Sequence, residues 1–171
     1  MNKLLTVSGI ILTLLIATLF LYPIQIQKPT STSDYKQLAC MARNIYFEAG
    51  HEPFEGKVAV AVVTMNRLKH EEFPKTVCDV VYQRNKKTCQ FSWTCEKYKS
   101  KKINEEKYVE SIEAARRVMQ GKAHIDILDD ALYYHADYVN PRWNKTKVAK
   151  IGRHIFYRPR NHGKLSFNEE I

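Results

Sequence analysis

The stretch Ile45-Tyr46-Phe47-Glu48-Ala49-Gly50-His51-Glu52-Pro53-Phe54-Glu55-Gly56, with Val58-Ala59-Val60-Ala61-Val62-Val63 close behind it, decides the fold class. Leu38, Met41, Ala42, Ile45 and Ala49 lie three and four residues apart, which makes one apolar face of a helix. Ser33 or Asp34 can cap its start, and Gly50 ends it. Pro53 reads as the first position of a second helix, with Glu55 in its first turn. A short apolar run does not separate buried strand from buried helix. The Pro/Glu start and the continuation through Met65-Asn66-Arg67-Leu68 favour helix. Asn104 before Glu105 and Glu106 opens another helix, with Tyr108, Ile112, Ala115 and Met119 on one face and Gly121 past its end. These patterns make the expected domain mainly helical.

Glu48 falls at the edge of the first apolar stripe and in the last turn of its helix. The negative end of the helix dipole and partial desolvation both disfavour its charged form there. A raised pKa is what a proton donor working near neutral pH requires. Glu52 and Glu55 instead face the positive end of the second helix, where capping is the default role.

No charged residue lies between Lys3 and Lys28. As a helix, residues 4–21 would cover roughly 27 Å, close to the hydrocarbon thickness of a bilayer. The run exceeds a usual signal-peptide core and no A-x-A-like site follows. One uncleaved transmembrane helix within residues 1–27 is therefore expected, then a polar linker over 28–34 and a single domain over 35–171. Gly9 and several hydroxyl residues dilute the apolar run and weaken its insertion. Lys3 on one side against Lys28, Lys36 and Arg43 on the other gives no orientation by charge.

The net charge of +9 favours an anionic partner, either nucleic acid or a bacterial envelope rich in carboxylate and phosphate. Arg142, Lys145, Lys147 and Lys150 would suit DNA or RNA, but a recognition motif is lacking and the Glu48 setting would be unexplained, so no nucleic acid is expected. Cys40, Cys78, Cys89 and Cys95 include no C-x-x-C pair, and the histidines have no short paired spacing, so neither a metal nor a cofactor is expected. Four cysteines in a small exported domain fit two disulfides in any of three pairings, against the alternative of buried thiols in a cytosolic protein. A local Cys89–Cys95 pair leaves Cys40–Cys78 by elimination. Between Cys89 and Cys95 lie Gln90, Phe91, Ser92 and Trp93, either a pinned substrate loop or a hairpin filling a small core. Tyr133 and Tyr134 open a second aromatic cluster of the kind that stacks on sugar faces. His135 and His154 read as structural.

Six motifs in order, the glutamate segment above, Val58-Ala59-Val60-Ala61-Val62-Val63-Thr64-Met65-Asn66-Arg67, Phe73-Pro74-Lys75-Thr76-Val77, Gln90-Phe91-Ser92-Trp93, Ala131-Leu132-Tyr133-Tyr134 and Ile151-Gly152-Arg153-His154-Ile155-Phe156-Tyr157, resemble the bacterial cell wall hydrolases of the spore-cortex-lytic, SleB/CwlJ-like group. The resemblance implies the fold class α+β, mainly α: a lysozyme-like domain, similar to lytic transglycosylases, with a small irregular or β part. It also implies action on peptidoglycan glycan strands and a catalytic glutamate at Glu48. Gly50-His51 stands where that group has Arg-Gly.

Hydrolytic glycosidases ordinarily use two carboxylates, whereas a lytic transglycosylase can work with one and leave a 1,6-anhydro ring. Glu48 is the expected acid and base, Glu52 the candidate second carboxylate if hydrolysis occurs, and Gln90, Phe91, Ser92, Trp93, Tyr133 and Tyr134 the candidates for holding sugars. The alternatives are a catalytically idle peptidoglycan-binding protein, a hydrolytic muramidase, and an amidase, the last disfavoured by the missing zinc or cysteine–histidine site. The expected setting is a monomer anchored in the membrane with its domain periplasmic or external, as a resident remodelling enzyme or a phage endolysin, with secretion after cleavage or release as a variant.

Overall fold

The computed structural model describes residues 31–86, 88–95 and 103–160. The expected membrane segment at residues 4–21 lies outside them. Among the described residues no helix is long and apolar enough to cross a membrane.

Helix α1, Thr32–Ala49, begins earlier than the sequence suggested. Ser31, not Ser33 or Asp34, is the cap: its backbone is extended and its Oγ accepts the Asp34 N–H at 3.2 Å. The compact unit accordingly starts at Ser31, inside the expected 28–34 linker. Asp34 sits in the first turn, where its charge meets the positive helix end. At the other end Gly50 keeps a right-handed backbone and donates to Tyr46 O. A Cβ there would lie 2.4 Å from that oxygen, so close approach rather than a left-handed turn calls for glycine.

Helix α2, Phe54–Lys69, follows Pro53 as its cap and is the inner helix of the domain. Every residue from Gly56 to Thr64 is buried. A helix covered on all sides carries no polar stripe, so the Val/Ala run by itself does not separate helix from strand, and the helix favoured by its Pro/Glu start is the one that forms. Met41, Ala42, Ile45 and Ala49 of α1 join its core cluster, as do Ala114, Ala115 and Val118 of α4, which spans Glu105–Met119 behind an Asn104 cap. The alanines of all three helices allow close approach of their backbones, and valines fill the spaces between. The short α3, Val77–Val81, is capped by Thr76, whose Oγ1 accepts the Asp79 N–H at 3.1 Å.

The rest is a three-stranded antiparallel sheet in the order β1-β3-β2, with β1 at Tyr133–Ala136, β2 at Lys145–Ile151 and β3 at His154–Pro159. Tyr134 pairs with Phe156 and Ala136 with His154, while a bulge lies between Lys147 and Ala149 on β2. The fully buried Phe156 ties the inner face of the sheet to the helical core. The architecture is thus mainly helical with a small sheet.

Two disulfides close, Cys40–Cys78 between α1 and α3 with Cα atoms 5.2 Å apart, and Cys89–Cys95 with Cα atoms 5.9 Å apart. Their separations of 38 and 6 residues differ enough to matter. By loop-closure entropy the first should contribute about 4 kcal/mol and the second about 2 kcal/mol. Urea unfolding of the C40A/C78A and C89A/C95A double variants should therefore show the larger fall in midpoint for the first pair.

Candidate active site

Glu48 lies in the last turn of α1, one residue before its end at Ala49. It is half-buried, with its Oε2 accepting from the Tyr134 hydroxyl at 3.3 Å. Burial pushes the Glu48 carboxyl above the ordinary carboxylate range. The Tyr134 bond and the positive charge of Arg67 pull the other way and only partly offset it. Burial and the neighbouring Glu48 charge hold the Tyr134 hydroxyl well above its usual range, so it remains a donor at any working pH.

Arg67 was part of a motif but not a predicted site residue. It is 3% exposed, near the C-terminal end of α2, and its Nε donates to Leu132 O at 2.8 Å. Its guanidinium lies over two rings, 5.4 Å from the Phe73 centroid and 5.3 Å from that of Phe91. With the Gln90 amide oxygen turned toward it, Gln90 accepts from both Nη1 and Nη2 at 3.2 Å. Burial lowers the Arg67 pKa, yet a guanidinium stays charged in proteins. Its neighbour Asn66 donates to Leu128 O at 2.6 Å and Ala131 O at 3.0 Å. The signal for both was visible: two polar side chains at the end of an otherwise apolar helix need partners.

The loop closed by Cys89–Cys95 separates the predicted sugar-binding residues. Phe91 and Trp93 are 4% and 5% exposed and belong to the hydrophobic core, so they are not open stacking platforms. Trp93 stacks on Phe47 with centroids 4.6 Å apart, and its indole N–H donates to Asn44 Oδ1 at 3.3 Å. Asn44, fully buried, donates in turn to Thr64 Oγ1 at 3.4 Å, so the polar tip of the tryptophan finds its partner inside the protein. Ser92 and Gln90 stay exposed.

Tyr133 and Tyr134 diverge because neighbours on a strand point to opposite faces. Tyr134 turns inward to Glu48, edge-on to His154 with centroids 5.2 Å apart. Tyr133 has the Lys145 ammonium 3.3 Å from its ring centroid, and with His70, Asn144, Lys145 and Arg160 it lines a cleft of 410 Å³. His135 bonds Tyr157 Oη at 2.9 Å on the face of the sheet away from Tyr134, while His154, buried and with its pKa lowered by desolvation, packs edge-on against the Tyr134 ring. Glu52 is not a helix cap. Its Oε2 accepts the Arg153 N–H at 2.8 Å, in the turn between β2 and β3. Among the described residues no group of three or more histidine, cysteine, aspartate or glutamate side chains is placed to hold a metal.

The cell wall hydrolase family profile matches residues 51–157, beginning just past Glu48. The spore cortex-lytic enzyme of Bacillus subtilis (strain 168) is 31% identical over 124 residues, 68% of this chain and 35% of that protein. The one from Oceanobacillus iheyensis is 32% identical over 124 residues, 68% of this chain and 39% of that protein. The chain thus spans less than half the length of these relatives. Among solved structures, the catalytic domain of the germination-specific lytic transglycosylase SleB from Bacillus anthracis matches with a TM-score of 0.57 at 27% identity, covering 78% of this chain and all of that one. The catalytic domain of the Bacillus cereus SleB protein gives 0.53 at 26% identity, covering 78% and 98%. These likenesses establish the SleB-like, lysozyme-like fold.

The raised Glu48 carboxyl has a consequence for stability. A carboxyl with a folded pKa above its unfolded one contributes stability at low pH, and that contribution disappears as pH rises through the folded value. Glu48→Gln keeps an acceptor for Tyr134 and removes a charge that burial disfavours. The variant should melt above wild type at neutral and alkaline pH, with the gap closing under acid, as a series of thermal melts across pH would read.

Proposed function

The chain belongs to the cell wall hydrolase family, and we propose that it cleaves the glycan strands of peptidoglycan between N-acetylmuramic acid and N-acetylglucosamine, with Glu48 as the acid and base. The observation that carries this reading is a carboxyl kept proton-rich by burial yet in contact with one hydroxyl donor and near one fixed cation. A proton donor near neutral pH needs the first property, and the second stabilises the carboxylate once its proton has left.

The sequence of events uses one carboxylate. Glu48 gives its proton to the glycosidic oxygen as that oxygen leaves the anomeric carbon of the muramic acid. The carboxylate then accepts the proton of the muramic acid's own 6-hydroxyl as its oxygen bonds to the anomeric carbon. Atoms and protons balance without water, and Glu48 ends as it began. Tyr134 and Arg67 favour its charged form between the two transfers. Exposed Gln90 and Ser92, and Tyr133 with its cleft, are the parts of the predicted set that a glycan could reach. The basic balance of the chain suits the carboxylate-bearing stems of the polymer.

We also propose that residues 4–21 anchor the chain in the membrane with the domain on its outer side, where peptidoglycan lies. Two disulfides in a small domain support an oxidising compartment.

The reaction is tested by mass spectrometry of muropeptides released from purified sacculi. Products should carry 1,6-anhydromuramic acid, and Glu48→Gln should lower their rate of release by about 10²-fold or more while the far-UV spectrum is unchanged. Reducing-end muramic acid would mean hydrolysis in place of the anhydro route. Topology is tested separately. Protease added to spheroplasts should digest the domain, while a protected domain would place it in the cytoplasm.

A further inference from the structure

Glu48 and Tyr134 meet from 86 residues apart and from different layers, one at the end of α1 and one on β1. Their contact therefore depends on what sets the sheet against the helices. On the side where β1 begins, Asn66 and Arg67 hold the carbonyls of Leu128, Ala131 and Leu132. The other end of β1 is held through the β2–β3 turn. Arg153 O accepts the Asp137 N–H at 2.8 Å, immediately after β1, and Arg153 N donates at 2.8 Å to Glu52, which stands between α1 and α2.

Glu52 is built to receive that turn. Gly152, with φ +56, lies so close that a Cβ on it would fall 2.0 Å from Glu52 Oε2, so the carboxylate fills the space a side chain would need. Glu52's backbone is fixed as well: its N–H donates to Ala49 O at 3.0 Å, and its carbonyl accepts from the Lys57 ammonium at 2.5 Å. Lys57 is 2% exposed and also pairs with Glu110 at 3.0 Å, which ties the same corner to α4. We propose that Glu52 is a positioning residue, whose carboxylate seats the β2–β3 turn on the α1–α2 corner and thereby sets the reach of the Tyr134 hydroxyl to Glu48. It is not the second catalytic carboxylate. This rests on the reaction proposed above, because positioning matters only if Glu48 is the working group.

The two roles demand different things of the side chain. A nucleophile or water base needs the ionised carboxylate, whereas a hydrogen-bond acceptor for Arg153 N–H needs only a carbonyl oxygen. Glu52→Gln keeps that oxygen, Glu52→Ala removes it, and Gly152→Ala displaces the carboxylate from the other side. In the full-length chain, Glu52→Gln should retain muropeptide release within about threefold of wild type. Glu52→Ala and Gly152→Ala should lose on the order of 10-fold to 100-fold in kcat, with KM much less affected. A folded Glu52→Gln as inactive as Glu52→Ala, or a fully active Glu52→Ala, would overturn the proposal.

A second measurement holds even if the wild-type chain releases nothing and the reaction reading fails. The Glu48 carboxyl, faced by Tyr134 from β1 and Arg67 from α2, can be titrated by carbon-13 NMR. Loss of the Tyr134 bond should move its midpoint upward in Glu52→Ala and leave it near wild type in Glu52→Gln. An unmoved midpoint in Glu52→Ala would overturn the positioning role whatever the activity. Should Glu52→Ala fail to fold, Glu52→Gln decides on both readouts, since it must keep both the activity and the wild-type midpoint.

Discussion

Two adjacent side chains near the end of α2, Asn66 and Arg67, capture three backbone carbonyls of the segment that leads into β1. Leaving a buried polar group without a partner costs about 1–3 kcal/mol, so these donors and acceptors strongly favour meeting in one arrangement. Because α2 is enclosed by the other helices, the strand it holds is placed relative to the whole core. The sheet is small, with three short strands, and it packs its apolar face against the helices. Here Phe156, with Val148, Ala149 and Ile151 packed against the same core, supplies the apolar contact and α2 the polar one.

The chemistry of Glu48 follows from that placement. Three elements meet at its carboxyl: α1 presents it at the edge of the core, β1 brings a hydroxyl, and α2 brings a buried cation. Desolvation favours the protonated form, while the hydroxyl and the cation favour the ionised form. A group that must both give and take a proton needs neither state to be overwhelmingly preferred. The same desolvation makes the site a place where the fold carries a cost that function accounts for. Arg67 joins the two themes, since one guanidinium braces the strand entry, lies over the Phe73 and Phe91 rings, and favours the charged form of Glu48 through its own charge.

The loop closed by Cys89–Cys95 shows how readily local composition misleads. Two aromatic residues among small polar ones looked like a sugar platform, but Phe91 lies against Arg67 and Trp93 against Phe47 and Asn44. The decisive partners are 24 and 49 residues away in sequence, on α2 and α1. Burial of Trp93 was favoured once Asn44 was available to accept its N–H, and nothing in the loop itself announces that acceptor.

Helix faces at Leu38-to-Ala49 and Tyr108-to-Met119, the terminal place of Glu48, and the direction of its pKa shift were all legible in the sequence. They depend on local periodicity and on the chain end of one helix, and both are written in consecutive residues. So was the family, through the order of its motifs. Tertiary structure alone decided that the Val/Ala helix is enclosed on all sides, that Tyr134 rather than Tyr133 turns to Glu48, and that Glu52 meets Arg153 across 101 residues. Those facts depend on which surfaces come together. Hydrogen bonds between distant segments leave no period in a sequence; they exist only once packing has chosen the neighbours.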